Sequence, residues 1–372
     1  MAVSERTRER LVSLTKQKIL IVDDTPANIT LLGRFLGKIY ELVIATNGHD
    51  ALRLAQVEPL PDLILLDIMM PGLDGYEVCR LLKESVLTKK IPVIFVTAKG
   101  ENEDEAKGFE VGGVDYITKP ISPLIVRARV KTHLALYDQN RELEQKVIER
   151  TREVVHTQDV TIYGMAVLAE TRDNETGKHI MRTQYYVKAM AEYLAKIGKH
   201  RELLDTSYID LLFKSAPLHD IGKVGIADSI LLKPGKLTEE EFEEMKKHTT
   251  IGRDAIVKSE IALGRQDTTS FLTLASEIAY SHHEKWNGTG YPEGLSGDDI
   301  PLSGRLMAIA DVYDALISKR VYKAAFPHEK AVAIIAEGKG KHFDPDIVDV
   351  FVEIQNTFME IAINHTDSDE DE

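Results

Sequence analysis

Cysteine is almost absent from this chain, with Cys79 alone among 372 residues. An internal disulfide is therefore excluded, and with it any fold stapled by covalent bridges. Cys79 lies in Tyr76-Glu77-Val78-Cys79-Arg80-Leu81-Leu82, a helical pattern in which it reads as a small buried residue. An excess of basic charge is also missing: 46 Lys and Arg face 60 Asp and Glu, for a net charge of -14. That balance denies the protein a general electrostatic grip on nucleic acid, so an anionic substrate has to be held locally, by metal ions or a few placed cations. No uncharged apolar run reaches the length of a bilayer span, and the opening MAVSERTRERLVSLTKQK is basic without the apolar core of a secretory leader. The expectation is a cytoplasmic protein without membrane contact. The ending TDSDEDE reads as a solvated acidic tail.

What is present is ordinary globular composition, 43% hydrophobic and 28% charged, in a chain long enough for two domains. Between Lys18 and Val126 the apolar runs KILIV, ELVIAT, DLILLD, PVIFVT and DYITK each precede a helical pattern, which makes five βα units. Short, nearly continuous apolar strands are buried on both faces, so a parallel sheet covered by helices is predicted, with its site at the carboxyl ends of the strands. From Ser122 to Asp159 the chain is charged and helical without Pro or Gly after Pro123, and carries a partial apolar stripe through Val126, Val130, Leu134 and Tyr137. Beyond it the patterns are helical only, broken at Gly and Pro loops. Thr238 and Glu241 form a capping box at one helix start. The expected division is an N-terminal extension over 1–17, an α/β domain over 18–137, a helical linker over 138–160, an all-α domain over 161–362 and a tail over 363–372.

In the α/β part, Asp23 and Asp24 end the first strand and Asp67 ends the third, so three carboxylates converge at one sheet edge. They repel one another unless a cation joins them, and oxygen donors with water suit Mg²⁺. Thr97 ends the fourth strand and Lys119-Pro120 the fifth, which brings a hydroxyl and an ammonium to the same edge to hold phosphoryl oxygens. This stretch resembles the receiver domain of two-component response regulators. The resemblance implies a flavodoxin-like sheet of order 2-1-3-4-5, Asp67 as the residue that becomes an aspartyl-phosphate, Asp23 and Asp24 as Mg²⁺ ligands, and Thr97 and Lys119 as phosphoryl contacts. It makes Tyr116 the switch aromatic and a sensor histidine kinase the partner.

The second half contains Glu175, His179, His219-Asp220, Lys223, His248, His282-His283 and Asp311. A His-Asp dipeptide alone means nothing, since His49-Asp50 is another among 12 His in the chain. Five His and three carboxylates in short helical segments mean more. Glu175 and His179, at i and i+4, share a helix face if the helix reaches back to Glu175. Imidazole with carboxylate suits Fe, Mn, Ni or Zn, and eight potential ligands exceed the needs of one ion, which makes Asp220 the natural bridge between at least two. Two such ions acidify a bridging water into a hydroxide that displaces the alkoxide of a phosphodiester, while Lys223 meets a nonbridging oxygen.

The segments SAPLHDIGKVGIADSILLKPGKLTEEEFEEMKKHTTIG and SHHEKWNGTGYPEGLSGDDIPLSGRLMAIADVYDAL, with ETRDNETGKHIMR before them, resemble the HD-GYP family of phosphodiesterases over about Met165 to Phe351. The resemblance implies hydrolysis of cyclic di-GMP to pGpG or GMP and assigns the metals to the eight residues named, with Fe or Mn as the leading choice. Glu175 favours a third ion. It also makes Gly290-Tyr291-Pro292 the signature loop near substrate and gives Arg320 and Lys323 phosphate contacts. A homodimer and diguanylate cyclase proteins complete the expected partners. Val321 stands where the family has Pro. Trp286 and Tyr291 are placed to stack on guanine or to pack; Asp344 is expected to cap a helix that begins at Pro345. Two other readings remain: hydrolysis of another cyclic dinucleotide such as cyclic GMP-AMP, and a noncatalytic module that binds cyclic di-GMP or proteins. The second is weaker because every ligand position and Lys223 are filled.

Overall fold

The computed structural model describes residues 16–98, 102–172, 177–262, 264, 270–318 and 325–365. It divides between Thr151 and Arg152 into two units. In the first, β1 (Lys18–Val22), β2 (Glu41–Ala45), β3 (Leu63–Asp67), β4 (Val93–Ala98) and β5 (Asp115–Lys119) form one parallel sheet of order β2-β1-β3-β4-β5. Alternate residues of the inner strands feed two separate cores. Leu20, Val22, Ile64, Leu66 and Phe95 point to one face, and Ile19, Ile21, Leu63, Leu65, Ile94 and Val96 to the other. Helices α1 (Pro26–Leu36), α2 (Gly48–Leu54), α3 (Gly75–Glu84) and α4 (Asn102–Glu110) connect the strands. Cys79 is fully buried on α3. The His49-Asp50 pair is part of a helix start, where Asn47 caps the amide of Asp50 and Asp50 pairs with Arg53.

Helix α5 runs unbroken from Pro123 to Glu170. Its apolar stripe has a local explanation: Val126, Val130 and Leu134 are buried against Ile19, Ile21 and Ile117, so they complete the first unit's core and do not form a seam for a second helix.

Among the described residues the second unit is all-helical apart from two isolated bridges. Its helices are α6 (Gly177–Lys196), α7 (Thr206–Ser215), α8 (Asp228–Leu231), α9 (Glu239–Ala262), α10 (Phe271–Ser281), α11 (Leu302–Ile317), α12 (His328–Glu337), α13 (Pro345–Glu353) and α14 (Gln355–Asn364). The capping box before α9 is present, with Thr238 Oγ1 accepting from the Glu241 amide at 3.2 Å and Glu241 accepting from the Thr238 amide at 2.8 Å. Asp344 caps α13 through the Asp346 amide, and Pro345 opens the helix. An aromatic cluster of Tyr186, Tyr313, Phe351 and Phe358 holds α6, α11, α13 and α14 together. Two glycines permit close approaches that shape the site. A Cβ on Gly222 would lie 1.9 Å from the carbonyl oxygen of His248, and one on Gly304 would lie 2.2 Å from Ser281 Oγ.

Candidate phosphoryl-acceptor and metal sites

In the first unit, carboxylate oxygens of Asp23, Asp24 and Asp67 converge at the carboxyl edge of the sheet. Lys119 reaches in from the end of β5, with Nζ 2.8 Å from Asp67 and 3.2 Å from Asp23. Burial and the neighbouring Asp23 carboxylate raise the Asp67 carboxyl against the pull of Lys119. Burial lowers the Lys119 ammonium, but the two acids outweigh it and hold it above its ordinary value. Asp23 is fixed by Asn28 Nδ2, 3.0 Å from both carboxylate oxygens, and by the Thr25 amide. Neither partner is evident in the sequence reading. Thr97 sits at the same edge, with its hydroxyl donating to the Ala98 carbonyl. Tyr116 is turned inward, stacked on Phe95 and edge-on to Phe109, and Gly108 leaves the room its hydroxyl needs.

In the second unit the histidines and acids come together in two groups. One consists of Asp220, His248, His282 and His283, the other of His179, His219 and Asp311. Asp220 faces both: its Oδ1 is 3.4 Å from His248 Nε2 and 3.6 Å from His282 Nε2, and its Oδ2 is 3.4 Å from His219 Nε2. Lys223 Nζ lies 2.8 Å from Oδ2. Glu175, Arg320 and Lys323 lie outside the described residues, as does Val321.

The backbone decides which ring nitrogens face Asp220. His219 Nδ1 is 3.0 Å from the Ala216 carbonyl, His248 Nδ1 is 2.7 Å from that of Met245, and His282 Nδ1 is 3.0 Å from that of Ile278. A carbonyl oxygen only accepts, so each Nδ1 carries the hydrogen and each Nε2 turns its lone pair to the site. His179 is set the same way by a carboxylate, with Nδ1 donating to Asp314 at 2.8 Å. Asp314 in turn accepts from Arg182 at 2.6 and 2.8 Å, both residues being almost fully buried. The sequence reading missed this pair. The available signal was spacing, since Asp314 and Arg182 each follow a named ligand by three residues on the same helix.

This geometry tests whether the residues fit divalent metals. The Nε2 atoms of His219, His248 and His282 and Oδ1 of Asp220 are buried and have no hydrogen-bond partner among the described residues. Imidazole lone pairs facing a carboxylate at 3.4–3.6 Å repel it unless a cation is shared. Burial drives His248 down to about 4 and holds His283 well below its usual range, with the neighbouring rings adding to the effect. Neutral imidazoles around one bridging acid are the donor set of a first-row transition-metal cluster, and the residues fit it. Burial opposes ionisation of Asp220, yet the neighbouring positive charge, Lys223 foremost, outweighs it and keeps the carboxyl well below its ordinary value.

The two sites define a receiver joined to an HD-type hydrolase. The pattern of a response regulator receiver domain matches residues 19–131, and that of an HD domain matches residues 163–347. A Vibrio cholerae protein named "Probable cyclic di-GMP phosphodiesterase" is 50% identical over 363 residues, covering 96% of this chain and 82% of that protein. A second Vibrio cholerae protein, "Cyclic di-GMP phosphodiesterase", is 61% identical over 216 residues, 58% of this chain and 43% of its own length. The "Cyclic di-GMP phosphodiesterase response regulator RpfG" of Xanthomonas campestris is 36% identical, covering 90% of this chain and 86% of that protein. The chain belongs to the HD-GYP family of cyclic di-GMP phosphodiesterase response regulators. No helix among the described residues is long and apolar enough to cross a membrane.

Proposed function

We propose that the chain hydrolyses cyclic di-GMP to pGpG or GMP at the Asp220 cluster, under control of phosphorylation at Asp67. The observation that carries this reading is the position of Asp220, with one carboxylate oxygen turned to each group of imidazoles. His248, His282 and His283 would hold one ion with Asp220, and His179, His219 and Asp311 a second, with Fe or Mn the best match to the donors; Glu175 is the proposed ligand of a third. Ions bound there supply an acidified water and positive charge against a phosphodiester. The protein's own groups do the rest. Lys223 brings an ammonium beside the bridging carboxylate, where it meets a nonbridging phosphate oxygen as negative charge builds. Asp314 and Arg182 hold His179 in the tautomer that donates its lone pair. Arg320 and Lys323 are proposed as further phosphate contacts, and Trp286 and Tyr291 as the aromatic surface for guanine.

In the receiver, Asp23, Asp24 and Asp67 would hold Mg²⁺. Asp67 attacks the phosphoryl group supplied by a sensor histidine kinase, and Thr97 and Lys119 take up the phosphoryl oxygens. The names of the three relatives favour cyclic di-GMP over cyclic GMP-AMP.

The test is chromatography of products from cyclic di-GMP incubated with protein loaded anaerobically with Fe²⁺ or Mn²⁺, beside the His219→Ala/Asp220→Ala variant. Appearance of pGpG or GMP only with intact ligands supports the reading. No turnover by metal-loaded wild type, or preferential turnover of cyclic GMP-AMP in a mixture, rejects the substrate. Equal turnover by wild type and Asp67→Asn under a phosphodonor rejects the regulation.

A further inference from the structure

His283 differs from its neighbours. His219, His248 and His282 are each anchored through Nδ1 to a carbonyl of their own segment. No carbonyl among the described residues anchors the His283 ring, which stands two residues beyond the end of α10. Three contacts from the Gly290-Tyr291-Pro292 loop converge on it and on Glu284, the residue after it.

The Tyr291 ring stacks on His283 with centroids 4.7 Å apart and planes inclined by 29°, while His282 packs against His283 at 4.0 Å. The Tyr291 amide donates to the His283 carbonyl at 3.3 Å. Gly290 lies so close to the chain that a Cβ there would sit 2.5 Å from Glu284 Cα and 2.3 Å from the Lys285 amide nitrogen. Glu284, 2% exposed, accepts from the amides of Glu293, Gly294 and Leu295 at 2.8, 3.1 and 3.0 Å. A desolvated carboxylate with three amide donors is a strong local clamp. It ties the far side of the loop to the segment that carries His283.

We propose that this loop acts first as a brace for the metal centre: Tyr291 is a positioning residue for His283, and Glu284 is the clamp that keeps Tyr291 in place. The proposal rests on the reading of His283 as a metal ligand. Stacking fixes the tilt of a ring that the backbone does not fix, and so sets where its donor nitrogen points. The signature tripeptide then has a division of labour: glycine for close approach, tyrosine for the ring face.

The experiment is titration of the full chain with Mn²⁺ in competition with a fluorescent chelator, on wild type, Tyr291→Ala, Tyr291→Phe and Glu284→Gln, each checked by thermal denaturation. Wild type is expected to bind at least two ions per chain. Tyr291→Ala and Glu284→Gln should bind one of them about 10- to 100-fold more weakly, the scale seen when partners that orient ligands are removed. Tyr291→Phe keeps the ring face and should restore the affinity. Wild-type affinity in Tyr291→Ala overturns the brace, and so does a Tyr291→Phe variant as weak as Tyr291→Ala, because the hydroxyl would then be responsible. Fewer than two ions on wild type instead overturns the metal reading beneath it. Should Glu284→Gln not fold, the Tyr291 pair decides alone.

Discussion

The two acid sites of this chain manage negative charge in opposite ways. In the receiver, three carboxylates gather at a sheet edge and Lys119 already supplies a cation to two of them. In the HD unit, Lys223 pairs with one oxygen of Asp220, and the other oxygen faces imidazole lone pairs. The first is an oxygen site with a resident counter-charge, suited to a weakly held Mg²⁺ and a transient phosphoryl group. The second is a mixed nitrogen and oxygen site whose charge balance depends on its ions. A switch needs the former, and a standing catalyst the latter.

The sharpest way to break the comparison is at the bridge. Asp220→Ala removes the carboxylate that faces both sets of imidazoles, and cyclic di-GMP turnover by metal-loaded protein should fall by about 10³-fold or more, the scale for a lost central electrostatic group. Product chromatography checks this. The next effect belongs to Asp314, whose loss deprives Arg182, 4% exposed, of the carboxylate that accepts two of its hydrogen bonds. Asp314→Ala should cost about 3–5 kcal/mol of stability in the HD unit, the penalty for breaking a buried ion pair, seen as a shifted denaturant midpoint. Wild-type stability in that variant would show that Arg182 has another sufficient partner.

Lys119→Met tests the receiver side. Without the ammonium the acids repel unopposed, so the metal-free receiver should lose about 1.5–3 kcal/mol, the worth of a hydrogen bond to a charged group. Added Mg²⁺ should then raise the melting temperature more in the variant than in wild type. An equal Mg²⁺ response would show that Lys119 does not compete for the acids. The smallest effect concerns Cys79. Burial pushes its thiol up to about 11, so it stays protonated at neutral pH. Any stability from this shift is present below the unfolded thiol's ordinary value and is lost as pH rises through about 11. At pH 8 Cys79 should resist alkylation in the folded chain and react promptly in urea, as mass spectrometry would report.

Local features were legible in the sequence because they depend on neighbours a few residues apart. The five strands, the Thr238 capping box and the Asp344 cap follow from alternation, side-chain reach and the fixed φ of proline. Seven of the eight metal candidates named from residue type come together in the structure, and Glu175 lies outside the described residues. What escaped were partners set by tertiary packing. Arg182 and Asp314 are 132 positions apart, and nothing in either segment names the other. Nothing in HHEKWNG marks Glu284, yet it is buried under a loop that returns nine to eleven residues later. The Val126, Val130 and Leu134 stripe was visible, but a helical period does not say which surface it meets.

The carbonyl anchors of His219, His248 and His282 lie only three or four residues upstream of each ring. Readiness to bind an ion is therefore inherited from the segment that carries each histidine and owes little to the rest of the assembly. Residues around the cluster can be exchanged, and with them the preferred ion or nucleotide, while these three donors keep their orientation. His179 and His283 depend on distant partners, so they are the positions where such drift would first retune the site.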